Sequence, residues 1–333
     1  MSNRTDAGPR GGLGGLAPRI TGAVSQVAAA GALIVIFVAL SIGAPSFLTA
    51  DNLFNLGSQT SVNAVMAVGV TLVIITGGID LSVGSVAALS GVVGVLLMAD
   101  FGFDPLLGIL GGILVGMAAG LVNGLLVSVV GLPPFIATLG MLSVGRGLVL
   151  IATGAVAVFG APESFRLLGQ GVVAAVPIPV LIIAAVAVAG HLVLTRTRLG
   201  RYAYVMGSNR EAARLSGVPV KKHLTSVYVV SGALAGLAGM VAASRINSGQ
   251  PNFGEGLELD VIAAVVIGGA SLFGGRGTVL GSLIGAFLVA VIRNGAIHLE
   301  INTFYQNVLI GVIIWLAVWW DRYQRRRLSG DTG

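Results

Sequence analysis

Runs of about 20 apolar residues recur along almost the whole chain, and that is the length a helix needs to cross a bilayer. Ten such stretches can be drawn, at roughly 24–44, 59–76, 80–98, 105–130, 135–153, 177–195, 224–246, 259–273, 278–298 and 303–320. A soluble domain must cover its surface with charge, typically about 25% of residues. Here only 10% of the 333 residues are charged and 55% are hydrophobic. The 51 glycines do not mark disorder, because they lie among Leu, Val, Ile and Ala, where small residues let membrane helices approach closely. The expectation is an all-α polytopic membrane protein with about ten transmembrane helices. A tail at 1–23 precedes a membrane domain at 24–320, and a second tail follows at 321–333.

The absence of cysteine excludes disulfides, thiolate metal sites and cysteine nucleophiles. Three histidines without helical pairing give no basis for a zinc site. The first apolar run follows Arg4, Arg10 and Arg19 and has no small-residue cleavage site after it, so it reads as a retained helix. The pI near 10.3 would point to nucleic acid in a soluble chain. In a membrane chain it points instead to the excess of Lys and Arg in cytoplasmic loops, and no nucleic-acid partner is expected.

Fourteen of the 19 Lys and Arg fall in three places. These are the N-terminal tail, the stretch with Arg196, Arg198, Arg201, Arg210, Arg214, Lys221 and Lys222, and the C-terminal Arg322, Arg325, Arg326 and Arg327. Ten spans put all three, and both termini, on the cytoplasmic side. Asp51, Asp100, Asp104, Glu163, Glu255, Glu258, Asp260 and Glu300, with Arg166 and Arg245, then belong to the opposite loops. Trp315, Trp319, Trp320 and Tyr323 read as an interfacial belt before the basic tail.

Two glycine-rich breaks interrupt short spans, "ITGGIDLSVGS" and "GGASLFGGRGT". Read as copies five spans apart, they face opposite ways, an inverted-repeat-like arrangement of broken helices. Such segments point to a transport pathway.

The loop at 196–223 carries the clearest local signals. In "GSNREAARLSGVPV", Asn209 suits a helix N-cap, and Glu211 in the first turn is favoured by the helix dipole. Gly217 suits the left-handed position after the helix, and Pro219 stops it. So short and polar a helix needs something to dock against. The chain has no GxxxxGK[ST] phosphate loop and would receive work from a separate ATPase.

"LVIITGGIDLSVGSVAALSG", "NGLLVSVVGLPPFIATLG", "GSNREAARLSGVPV" and "ELDVIAAVVIGGASLFGGRGTVLGSLIGA" occur in that order. Together they resemble the inner-membrane permease subunits of bacterial ABC sugar importers of the ribose type, part of a group that includes branched-chain amino acid permeases. The likeness covers about residues 45–321, with Ser208 standing where many relatives have a second glycine. It implies a permease dimer, an ATPase subunit that uses ATP and Mg, and an extracytoplasmic sugar-binding protein, with no cofactor on this chain. The match to the coupling helix implies that Gly207, Asn209, Arg210, Glu211, Ala212, Ala213, Arg214, Ser216 and Gly217 meet the ATPase.

Among single residues, Asp80 stands out, since an intramembrane carboxylate faces a cavity or a partner. It either caps the third helix through Ser82 and nearby amides or contacts passing substrate. Asn63, Ser82, Ser85, Asn123 and Thr138 are further pathway candidates for a hydroxyl-rich substrate. Arg146 would snorkel, pair with an acid or line the pathway, and Arg276 would anchor a cytoplasmic hairpin. The acidic segment "QPNFGEGLELD" is a docking candidate for the binding protein.

Three other functions compete. An ion-coupled secondary transporter needs its own acidic ion site, for which only Asp80 qualifies. An intramembrane hydrolase would pair a serine such as Ser90 with a histidine, but His191, His223 and His298 sit at span ends or in loops. A permease for branched-chain amino acids needs paired charges or helix ends for a zwitterion.

Overall fold

The computed structural model describes residues 17–329; the expected tail residues 1–16 and 330–333 lie outside the described residues. The chain forms helices α1 (Ala17–Gly43), α2 (Ala50–Ile75), α3 (Val83–Ala99), α4 (Pro105–Leu125) and α5 (Pro134–Thr153). After α6 (Arg166–Gln170) and a hairpin of β1 (Val172–Val173) and β2 (Val176–Pro177) come α7 (Ile178–Arg196), α8 (Arg198–Ser208) and α9 (Arg210–Leu215). The last four are α10 (Val220–Ile246), α11 (Leu257–Ile267), α12 (Val279–His298) and α13 (Thr303–Ser329). Each of the ten expected stretches carries a helix. Among the described residues seven helices are long and apolar enough to cross a membrane, while α3 and the apolar part of α13 are shorter.

Local chemistry explains the ends. Asp104 caps α4 by accepting from Leu106 and Leu107 N–H at 2.8 and 3.2 Å, and Pro105 follows as the first helical residue. The far end of α4 widens over Leu126–Val130 before Pro133 and Pro134 prevent continuation. The second span starts earlier than its apolar stretch, at Ala50. Its polar first turns are held by other elements: Asn52 and Asn294 of α12 exchange two amide hydrogen bonds of 3.0 and 2.8 Å.

Helix α2 is the central post, 89% buried over its apolar window, whereas α1 is 11% buried on the outside. α10 packs against α2, α3 and α4; α12 runs antiparallel to α2 with Thr71 and Ser282 joined at 2.6 Å. The α4–α10 contact is backbone to backbone. A Cβ on Gly120 would overlap the Tyr228 carbonyl oxygen, and Gly116 and Gly124 make similar approaches to Gly232 and Thr225. Gly120→Leu is therefore expected to force the helices apart at a cost of about 1–3 kcal/mol or more. A several-degree fall in the melting temperature of the purified protein in detergent checks it.

The two glycine-rich breaks do not face opposite ways. Gly275 N–H donates to Ile75 O at 2.9 Å, so both breaks lie at the end of the bundle that carries α9. The second and eighth spans are an even number apart, and an even number returns the chain to the same face. The segments that enter from opposite ends are a different pair. Residues 76–82 leave α2 at the α9 end and run inward, nonhelical, to the start of α3. Residues 247–256 leave α10 at its far end and turn back, with Gly249 against Val92 and Gly254 against Gly84. The short helices α3 and α11 begin where these dips meet.

Candidate functional site

α9 forms as its caps dictate. Asn209 Oδ1 accepts from Ala212 N–H at 2.9 Å, and Gly217, at φ +80°, takes the left-handed position. Val218 N–H then reaches back to Ala213 O at 3.1 Å, closing the C-terminal motif. Buried Ala213 seats the helix, while Leu215 is 75% exposed. Arg214 and Glu211 pair at 2.6 Å on the open face. The hydrogen bond from Arg214 holds the Glu211 carboxyl below the ordinary glutamate range.

The residues before α9 were read as a basic loop, but they form a second helix. Thr197 caps α8, whose Ala203 and Met206 are buried, and Tyr204 Oη donates to Gly277 O at 2.7 Å. Gly207 lies directly on the junction of the two breaks. A Cβ there would overlap Ile75 O and press on Gly275 N. Arg210 reaches Thr76 O at 3.4 Å. The exposed α9 thus touches the first break through its own first residue, Arg210, and starts three residues after Gly207, which meets both breaks.

The stretch 76–82 must satisfy its backbone within apolar surroundings. Arg210 serves Thr76 O, Thr138 Oγ1 serves Ile79 O at 3.0 Å, and Gly78 N–H donates to Val73 O at 3.1 Å. Asp80 organises the inner end. Its Oδ1 accepts from Ser82 N–H at 3.0 Å and from Ser82 Oγ at 2.7 Å, and its Oδ2 accepts from Ser231 Oγ at 3.1 Å. Asn123 donates to Ser82 Oγ at 2.9 Å, and Ser85 Oγ to Ser82 O at 2.9 Å. Ser231 lies about 16 Å along α10 from Val220 at 1.5 Å per residue, so this cluster is near mid-depth.

The expected pathway residues therefore separate. Asp80, Ser82, Ser85, Asn123 and Thr138 come together as a buried network that ties α3 to α4, α5 and α10. Asn63 lies apart and lines a cavity between α2, α11, α12 and α13. Arg146 donates to Pro251 O and Phe253 O at 3.0 and 2.8 Å, so it holds the dip at 247–256 through backbone carbonyls. The stretch 250–260, which overlaps this dip, was expected as an exposed loop, yet Pro251, Gly254 and Asp260 are buried.

Two residues escaped the sequence reading. Asp260, taken as a loop charge, is 2% exposed and accepts from Arg293 Nη2 at 2.8 Å. Arg293 is a basic residue inside the apolar run "LVAVIRNGAI", the same signal that singled out Arg146.

The family model described as branched-chain amino acid transport system / permease component matches residues 52–318. The chain is 44% identical to the ribose import permease protein RbsC of Escherichia coli (strain K12), over 86% of this chain and 90% of that protein. It is 40% identical to RbsC of Haemophilus influenzae (strain ATCC 51907 / DSM 11121 / KW20 / Rd), over 88% and 91%. It is also 40% identical to the D-allose transport system permease protein AlsC of Escherichia coli (strain K12), over 87% and 90%. No solved structure matches. With the match spanning nearly all of α2 to α13, this helical membrane chain belongs to the branched-chain amino acid transport system / permease component family.

Proposed function

We propose that this chain is the membrane-spanning permease subunit of an ATP-driven importer for a monosaccharide or related small polyol. The observation that carries the reading is the position of α9. It is a capped, exposed helix joined through Arg210 and Gly207 to Thr76, Ile75 and Gly275, the entry points of both breaks. The sugar class is supported by relatives named as ribose and D-allose permeases.

In this reading α9 faces the cytoplasm, as the Lys and Arg around it require, and seats in an ATPase subunit. Ten crossings, cytoplasmic termini and a dimer of permeases complete the arrangement. Closure of the ATPase pair on ATP would push α9, and the push reaches residues 76–82 through Arg210 and the Gly207 junction. The dips from opposite ends, 76–82 and 247–256, are the elements whose movement would switch access. A sugar-binding protein delivers substrate at the far end.

The test is co-purification. The tagged chain, extracted from its native membranes in mild detergent, is expected to bring an ABC-type ATPase with it. Replacing both Glu211 and Arg214 by alanine should reduce the recovered ATPase about tenfold or more. The surface pair itself contributes little to stability, so the melting temperature should stay within a degree or two. A chain that emerges alone and transports in liposomes without ATP would overturn the reading.

A further inference from the structure

The cavity beside Asn63 has a volume of about 630 Å³, within the roughly 300–1,000 Å³ of small-molecule sites. Its depth matches a point of passage. Asn63 lies about 18 Å along α2 from Ile75, and Arg293 about 21 Å along α12 from Val279, at 1.5 Å per residue. The wall carries the Asp260–Arg293 pair and the amides Gln59, Asn63 and Asn307. Arg293 Nη2 bridges Asp260 Oδ1 and Asn307 Oδ1, at 2.8 and 3.4 Å.

Two atoms of the Asp260–Arg293 pair are left over. Asp260 Oδ2 is buried and has no hydrogen-bond partner, and Arg293 Nε is likewise unmatched. A buried carboxylate oxygen without a donor is costly and rare in a finished structure. The Asp260–Arg293 pair neutralises itself, and the other charged residues of the wall, Arg245 and Glu255, are one of each sign, so what is missing is a neutral donor rather than a counter-ion. A sugar hydroxyl donates one hydrogen bond and accepts others, matching an unpaired carboxylate oxygen on a residue that shares this wall with amides.

We propose that this cavity is the polyol-contact site of the chain, in which Asp260 Oδ2 accepts from a sugar hydroxyl. Asn63 and Asn307 read the neighbouring hydroxyls, and Arg293 is a positioning residue that aims the Asp260 carboxylate. The proposal rests on the sugar-permease reading and names the residues that would carry its selectivity. Asp80 and its network have no part in it.

The test uses the full transporter in cells, with uptake of D-ribose, D-allose, D-xylose and L-leucine measured side by side. Asp260→Asn replaces the free acceptor with a donor at constant volume and should lower sugar uptake about tenfold or more, as a site built for a hydroxyl requires. Asn307→Ala, at an exposed position, should change the ratio of D-ribose to D-xylose uptake severalfold while ATPase recovery stays native. The conservative Asn307→Gln should restore part of that ratio. Sugar ratios unchanged in Asn307→Ala, or native uptake in Asp260→Asn, would overturn the proposal while leaving the permease reading intact. A native chain that takes up L-leucine and no sugar would overturn both.

Discussion

Gly207→Val is expected to abolish uptake and to sharply reduce the yield of folded protein. The added Cβ falls on the Ile75 carbonyl oxygen and against Gly275 N, and both are backbone atoms, which cannot swing aside as a side chain would. Ile75 and Gly275 are themselves joined at 2.9 Å, so a wedge at this point has to break that bond or push α8 off the bundle. Overpacking in closely packed cores costs about 1–3 kcal/mol, and a clash with two backbones belongs at or above the upper end. Gly207→Ala should show most of the same loss. The control is Gly147→Ala on α5, where a Cβ meets nothing within 4 Å and the helix gains up to about 1 kcal/mol of propensity. Melting curves in detergent compare the two. Equal stability would mean that α8 does not rest on the breaks, and the route from α9 to residues 76–82 would fall with it.

The second large effect is at Asp80. Asp80→Ala removes the acceptor of three donors, Ser82 N–H, Ser82 Oγ and Ser231 Oγ. The serine hydroxyls can rotate to other acceptors, but the Ser82 amide cannot. A buried donor left without a partner costs about 1–3 kcal/mol, and here the start of α3 loosens as well. A marked fall in melting temperature is the expected result. Asp80→Asn keeps one oxygen for Ser82, and its amide can donate to the Ser231 hydroxyl, so it should melt close to the native protein and retain most uptake. If Asp80→Asn kept full stability and lost transport, the charge itself would be the working part. The ion-coupled alternative would then regain ground.

The contrast between α9 and the cavity shows what was legible. The caps of α9 act over a few residues, so Asn209, Gly217 and Pro219 announced the helix directly. Helix α8 was missed because its basic residues, read as a solvated loop, masked the apolar face made by Ala203 and Met206. Asp80 was conspicuous as a lone carboxylate in an apolar run, but its partner Ser231 stands 151 positions away. Asp260 and Arg293 were hidden for a related reason. A carboxylate near a span end reads as loop charge until a helix 33 positions later brings a guanidinium to it.

The pairing of the breaks failed for a different reason. The ten stretches place the breaks after the second and the eighth span, six apart and not five, and that even count already puts both at one end. The dip at 247–256 has no double glycine and was read as a docking loop, yet it meets Gly84 where the first dip ends.

By itself the sequence determined the membrane class, the helical stretches, the clustering of charge and the capped helix α9. Each depends on hydropathy or on bonds spanning a few residues. Only the tertiary structure decided that the dips at 76–82 and 247–256 enter from opposite ends and meet, that Asp80 closes a network rather than facing open space, and that Asp260 leaves one oxygen unpaired beside a cavity. Those outcomes depend on which helix faces pack together, and packing among helices that are apolar on nearly every side is settled by shape and by long-range hydrogen bonds rather than by local pattern.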